Sequence, residues 1–178
     1  MFKLWESFLR WLTANFEESP KEPTVNIIVI NEDVALMNQF RKLFLREFCR
    51  FAGNFPPCRK PSVERETEVR KYLSEVIVPF HHIWGVVKEG RLIGFAAVMK
   101  NGKNSGGTHK ISHIFVEEEG EGRITESLVK LCKEFYKKLY IELPADSHLV
   151  NLLKRLGFKE VKREKREGGT VVALSFHR

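Results

Sequence analysis

The sequence predicts one mixed α/β domain preceded by an amphipathic helix, and three features carry that prediction. The stretch HKISHIFVEEEGEGRITESLVKLCKEF, His109–Phe135, reads as a buried strand, a glycine turn and an amphipathic helix in direct succession. Two further pairs of β-rich runs are separated by glycine-bearing turns, at Lys88-Glu89-Gly90-Arg91 and at Gly168-Gly169, and read as hairpins. With 178 residues, 43% hydrophobic and 30% charged, the chain is long enough for one substantial core.

Taken in order, residues 1–23 form a unit of their own. Phe2, Trp5, Phe8, Trp11 and Leu12, with Leu4, Leu9 and Phe16, make a broad helical stripe. Lys3, Glu6 and Arg10 interrupt it, so it is neither a signal sequence nor a spanning segment, and a cytoplasmic location is expected. Its apolar face could pack on its own domain, on a second copy or protein partner, or on a membrane surface. EESPKEP follows as a polar, proline-bearing linker.

From residue 24 to 178 the elements alternate. TVNIIVI predicts a short buried strand, and Leu36, Met37, Phe40, Leu43, Phe44 and Phe48 place one apolar face on the next helix. Pro56, Pro57 and Pro61 bar helix from the following loop. Ser62 is a candidate cap for a helix reaching about Val76, without the glutamate of a capping box. HHIWGVV and LIGFAAVMK pair as a hairpin, and NGKNSGG leads into the central strand, where Ile111, Ile114, Phe115 and Val116 are the apolar positions. Gly120 and Gly122 allow the tight turn that follows. Ile124, Leu128, Leu131, Cys132, Phe135 and Tyr136 then give the central helix its apolar face. LYIELPA is another strand, His148 to Leu156 a short helix closed by Gly157, and KEVKREKRE with TVVALSF a final hairpin. A strand feeding a helix through a glycine turn exposes backbone N–H groups at the positive end of the helix dipole, a place for an anion such as a pyrophosphate.

Charge and cysteines bound the rest. The net charge of +7 suits an acidic ligand or a nucleic acid, but Lys and Glu are both abundant and KREKRE alternates in sign like a solvated hairpin. Cys49, Cys58 and Cys132 are odd in number and form no CxxC, so neither a disulfide framework nor a cysteine zinc site is expected. His81, His82, His109 and His113 lack a convergent acidic or cysteine partner, and no metal is assigned. Gly102-Lys103-Asn104 fails the phosphate-loop pattern, and no Ser-His-Asp signature or nucleophile elbow occurs.

The order β-α-α-β-β-β-α-β-α-β-β, IFV at Ile114–Val116, the glycine turn up to Thr125, and HLVNLLKRLGF ending in Gly157-Phe158 together resemble the GNAT acyl-CoA N-acyltransferase family over residues 24–178. The resemblance implies a mixed, mostly antiparallel central sheet with splayed fourth and fifth strands, flanked by helices. It also implies acetyl-CoA as cofactor and a primary amine, on a small molecule or a protein, as acceptor. The acyl-CoA site would comprise Phe115, Val116, Gly120, Gly122, Arg123, Ile124 and Thr125, with Asp146 where the family often carries a cofactor-contacting asparagine.

The chain departs from the family's R/Q-x-x-G-x-G/A loop. Aligned through the helix, Gly120 stands at the Arg/Gln position, Arg123 at the first glycine and Thr125 at the second; aligned from Val116, with one residue deleted in the loop, Gly122 stands at a glycine position, and either way the signature is incomplete. Glu117, Glu118, Glu119 and Glu121 crowd the pyrophosphate position, where like charges repel by roughly 1 kcal/mol per close pair. Glu142, in an IELP stretch similar to the LEVR of family members that acetylate protein N-termini, is the first candidate base. His113 is the second, with an imidazole suited to proton transfer near neutrality. The family's frequent thiolate-protonating tyrosine is replaced by Leu153. Two functions therefore stand side by side: acyl transfer to an amine, or a catalytically inactive GNAT-fold component of a complex or virion.

Overall fold

The computed structural model describes residues 24–51, 58, 61–100, 107–117, 121–166 and 169–178. Phe2, Trp5, Phe8, Trp11 and Leu12 of the N-terminal stretch, and Gly120 of the expected turn, lie outside the described residues. The strands are β1 (Val25–Val29), β2 (His81–Lys88), β3 (Arg91–Met99), β4 (His109–Val116), β5 (Lys138–Pro144), β6 (Lys159–Arg166) and β7 (Gly169–His177). The helices are α1 (Val34–Phe51), α2 (Ser62–Tyr72), α3 (Glu121–Phe135) and α4 (His148–Arg155).

One seven-stranded sheet runs in the order β1-β2-β3-β4-β5-β7-β6. Every neighbouring pair is antiparallel except β4 and β5, which run parallel because α3 crosses between them. Period-two alternation gives the central strands two apolar faces, so both need cover. Phe40, Phe44 and Phe48 of α1 and Val69 of α2 pack with Ile83, Leu92 and Phe95 on one face. Leu128, Val129 and Cys132 of α3 and Val150 and Leu153 of α4 pack with Ile111, Ile114 and Ile141 on the other. Glu89 and Gly90, at φ of 51° and 75°, turn the β2–β3 hairpin, the left-handed pair that suits a two-residue loop.

Four expectations change in three dimensions. TVNIIVI forms a strand, but β1 is an edge strand whose Val25, Ile28 and Val29 are exposed; only Ile30 beyond it is sealed. Ser62 is the first helical residue rather than the cap; α2 runs into a π turn at Leu73–Ile77 and a last turn at Val78–Phe80, past Val76. Phe135 is 65% exposed, because Leu128, Val129 and Cys132 of α3, with Tyr136 just after it, already fill the buried stripe. Cys49 and Cys58 form a disulfide with a Cα–Cα distance of 5.4 Å across a sequence separation of nine, a pairing that spacing alone did not reveal.

Candidate active site

β4 pairs with β5 only over His109–Ile111 and Leu139–Ile141, and then the two strands part. The cause is local to β4. Ala97 faces His113 and Val98 faces Ile111, so Ser112 is an extra residue with no partner on β3. Such a bulge bends its strand and increases its twist, which carries the second half of β4 away from β5. The gap is a cleft of about 730 Å3 whose walls are Ser112–Val116 of β4 with Glu117 just after it, and Ile141–Pro144 of β5. Thr125 of α3, the segment Asp146–Leu149 entering α4, and Arg46 and Glu47 of α1 complete it.

Of the residues singled out in the sequence, His113, Phe115, Val116, Thr125, Glu142 and Asp146 line this cleft. Gly122, Arg123 and Ile124 occupy the first turn of α3 just before Thr125 without forming its walls. Gly122 does not have the left-handed backbone expected of it, because the helix has already started at Glu121. Among the described residues, a Cβ built there meets no atom within 4 Å outside the helix's own backbone. Thr125 is 2% exposed and Asp146 is exposed, just ahead of Ser147, whose hydroxyl caps α4 by accepting from the Leu149 N–H.

The two candidate bases are held by opposite means. His113 lies among Phe44, Phe48 and Tyr72, with ring centroids 5.6, 5.5 and 5.8 Å away, and its Nε2 shares a hydrogen bond of 3.0 Å with Tyr72 Oη. Burial, helped by the charges of His81 and Lys110, pushes its pKa down to about 3, so the ring is neutral at physiological pH. Glu142 accepts from Lys110 Nζ at 2.8 Å, Tyr140 Oη at 3.0 Å and Arg166 Nη2 at 3.2 Å. Lys110 above all holds its pKa down to about 2, so it stays ionised.

Three features were missed in the sequence. Glu47, 7% exposed, sits four residues after Leu43 on the apolar stripe of α1, and a charge at a core position was a readable signal. Glu117 is bridged by Arg46 at 3.0 Å and by Arg91, so the first of the crowded glutamates is neutralised at the mouth of the cleft. Ser112 Oγ lies 2.8 Å from His81 Nε2, a contact made by the bulge and invisible to sequence spacing. Among the described residues no group of three or more His, Cys, Asp or Glu is arranged to hold a metal. His81 and His113 face the α1–α2 side, with Ile77, Phe44 and Phe48, while His82 and His109 face Tyr136 on the α3 side.

A family model described as an acetyltransferase (GNAT) domain matches residues 62–173. The chain belongs to the GNAT acetyltransferase family. Among curated proteins no sequence matches this GNAT chain. Solved structures share its fold at low identity. PaiA N-acetyltransferase from Thermoplasma acidophilum, in complex with coenzyme A, superposes with a TM-score of 0.61 at 12% identity, covering 87% of this chain and 99% of that one. The protein PH1933 from Pyrococcus horikoshii OT3 gives 0.62 at 15%, covering 87% and 99%. Aminoglycoside 6'-acetyltransferase type Ii gives 0.62 at 14%, covering 86% and 96%. The mixed, mostly antiparallel sheet with its parted fourth and fifth strands is thus a GNAT fold, as the order of elements implied. Among the described residues no helix is long and apolar enough to cross a membrane.

Proposed function

We propose that this protein transfers an acyl group from an acyl-CoA, acetyl-CoA in the first instance, to a primary amine bound in the same cleft. The observation that carries the reading is the parting of β4 and β5 beside the first turn of α3. After Ile111 the edge of β4 facing β5 has no strand partner, and an extended ligand with amide groups can take that edge. Its pyrophosphate would meet the backbone N–H groups of the first turn of α3 around Gly122, with Arg123 adding positive charge. The amine would approach from the α1–α2 face, where ionised Glu142 attracts an ammonium and His113, hydrogen-bonded through Nε2 to Tyr72 Oη, is the second candidate base.

A second reading, a GNAT fold without catalysis that serves as a binding or assembly component, draws on two facts. Leu153, at the family's tyrosine position, is 1% exposed and buried in the α3–α4 core, so no acid reaches the thiolate from there. The charge of Glu142 is already matched by Lys110 and Arg166.

Calorimetry with acetyl-CoA tests the proposal. Binding in the micromolar range, about −8 kcal/mol, is expected. The variant Gly122→Glu should fold without loss of thermal stability, because among the described residues a Cβ there meets no atom within 4 Å outside the helix's own backbone, yet lose that binding. Absence of heat and of thermal stabilisation at millimolar ligand overturns the transferase reading.

A further inference from the structure

The two edges of the sheet are built differently. At one edge every residue of β6 except Val161 is charged, a protection against pairing with another chain. β1, at the other edge, reads VNIIV and carries no charge. Its apolar side chains gather on the α3 side of the sheet. Val29 stands opposite Trp84 and Ile27 opposite Val86, and Trp84, Val86 and Ile27 pack in the α3–α4 core. Residues opposed in register share a face, and so do alternate residues of one strand, so Val25, Ile27 and Val29 all point that way. Phe135, the last residue of α3, meets Trp84 with ring centroids 4.6 Å apart. Val25, Val29 and Phe135 are nevertheless 37%, 45% and 65% exposed. Strand and helix end thus share one strip of apolar surface that the described elements leave open.

The sequence supplies a segment that fits this strip and is attached beside it. Residues 1–23 lie outside the described residues and lead through Thr24 into β1. Phe2, Trp5, Phe8, Trp11 and Leu12 recur there at helical spacing. A helix over residues 2–16 is about 22 Å long, against roughly 16 Å for the length of β1. Residues 17–23 reach at most about 23 Å, so the helix stays within range of the strip. So short a tether holds it at an effective concentration on the order of millimolar, above that of an untethered partner at micromolar concentration. Lys3 and Arg10 against Glu6 leave the segment little positive charge with which to seek an anionic membrane surface.

We propose that residues 2–16 form a helix that docks on this chain's own β1 and α3, with its aromatic stripe seated on Val25, Val29 and Phe135. The occupant is the same chain, not a second copy and not a lipid. The docked helix completes the α3 layer at the uncharged edge of the sheet. It also braces α3 at Phe135, the end opposite the first turn that borders the cleft. The interaction is independent of the acyl-CoA reading, because no residue of the strip lines the cleft.

Hydrogen exchange of the full chain, followed by mass spectrometry, tests the docking. It is run at two protein concentrations and with vesicles of phosphatidylcholine and phosphatidylserine, with sedimentation to fix the oligomeric state. Amides of residues 4–16 should exchange at least about tenfold slower than in the same segment as a free peptide, equally at both concentrations and in a monomer. The double variant Val29→Lys/Phe135→Glu alters two exposed positions and should return residues 4–16 to the free-peptide rate, with the β2–β4 amides still protected. Val161→Lys, at an exposed position of the opposite edge, should leave residues 4–16 protected. If the double variant unfolds the β2–β4 core, Trp5→Ser/Trp11→Ser decides, since it changes no described residue. That pair should speed exchange in the peptide covering β1 and raise binding of an apolar fluorescent dye, with the core amides still protected. Free-peptide exchange in the parent overturns the proposal, as does protection that appears only in a dimer or only with vesicles. So does protection that survives the double variant in a folded core, or a tryptophan pair whose β1 exchange and dye binding equal the parent's.

Discussion

His113 and Glu142 both line the cleft, from β4 and from β5, and acid affects both in the same direction for different reasons. His113 is neutral because it is buried, and its folded pKa of about 3 lies below the ordinary 6.5. Protonation therefore favours the unfolded chain, and its contribution is complete above pH 6.5 and shrinks as the pH falls toward 3. Glu142 is charged because Lys110, Tyr140 and Arg166 donate to it; its contribution is complete above 4.5 and is lost as the pH falls toward 2. Between pH 6.5 and 4.5 only the histidine, of these two, is titrating. His113→Phe, which keeps the aromatic contacts with Phe44 and Phe48, should flatten stability across that window by roughly a few kcal/mol. Urea unfolding at a series of pH values measures it; an unchanged slope would contradict the burial account of His113.

Elements are positioned here by small irregularities. One extra residue in β4 opens the cleft, one π turn follows Tyr72, which meets His113 of β4, and carries the Ile77 carbonyl to His81 of β2, and one disulfide ties the end of α1 to the chain ahead of α2. That last tie lies two residues beyond Glu47, on the wall of the cleft. Closing so short a loop constrains the unfolded chain by roughly 2–3 kcal/mol in the chain-entropy model. Cys58→Ser should lower the melting temperature of the oxidised protein and leave that of the thiol-reduced protein unchanged. Equal melting temperatures for oxidised parent and variant would show that the bridge stabilises nothing.

At the scale of the molecule, two apolar layers share one sheet, and the cleft is where that sheet is interrupted. Phe95 is fully buried at the centre of the α1–α2 layer, with Phe40, Phe44 and Phe115 at ring distances of 4.9, 5.9 and 6.2 Å. Because Phe115 lines the cleft on its other side, core and site are continuous through that ring. Phe95→Ala should cost about 3–5 kcal/mol of global stability in chemical denaturation. A loss below about 1 kcal/mol would mean that the layer collapses around the gap.

How much of this was legible depended on whether a residue's role was set by its neighbours in sequence or by its neighbours in space. The apolar stripe of α1, all six positions from Leu36 to Phe48, is buried as its period required, since a helix fixes its own facing. The hairpin at Glu89-Gly90 was readable for the same reason: its left-handed pair is a local demand. The order of elements, with the Gly157-Phe158 ending of α4, was enough to indicate the GNAT fold. The exposure of Phe135, the edge position of β1 and the Cys49–Cys58 bridge were not, because each depends on segments far along the chain.

The chemistry divides along the same line. Sequence named His113 and Glu142 as titratable groups on two strands; only the folded packing set one near 3 and the other near 2, through an aromatic cage and three hydrogen bonds. Ser112 and His81 lie 31 positions apart, and their 2.8 Å contact exists because a single bulged residue turns the serine toward β2. By itself the sequence determined the elements, their order and the family, since these follow from local periodicity and turn chemistry. Tertiary structure decided which side chains share a proton, because that requires strands distant in sequence to be adjacent in the sheet.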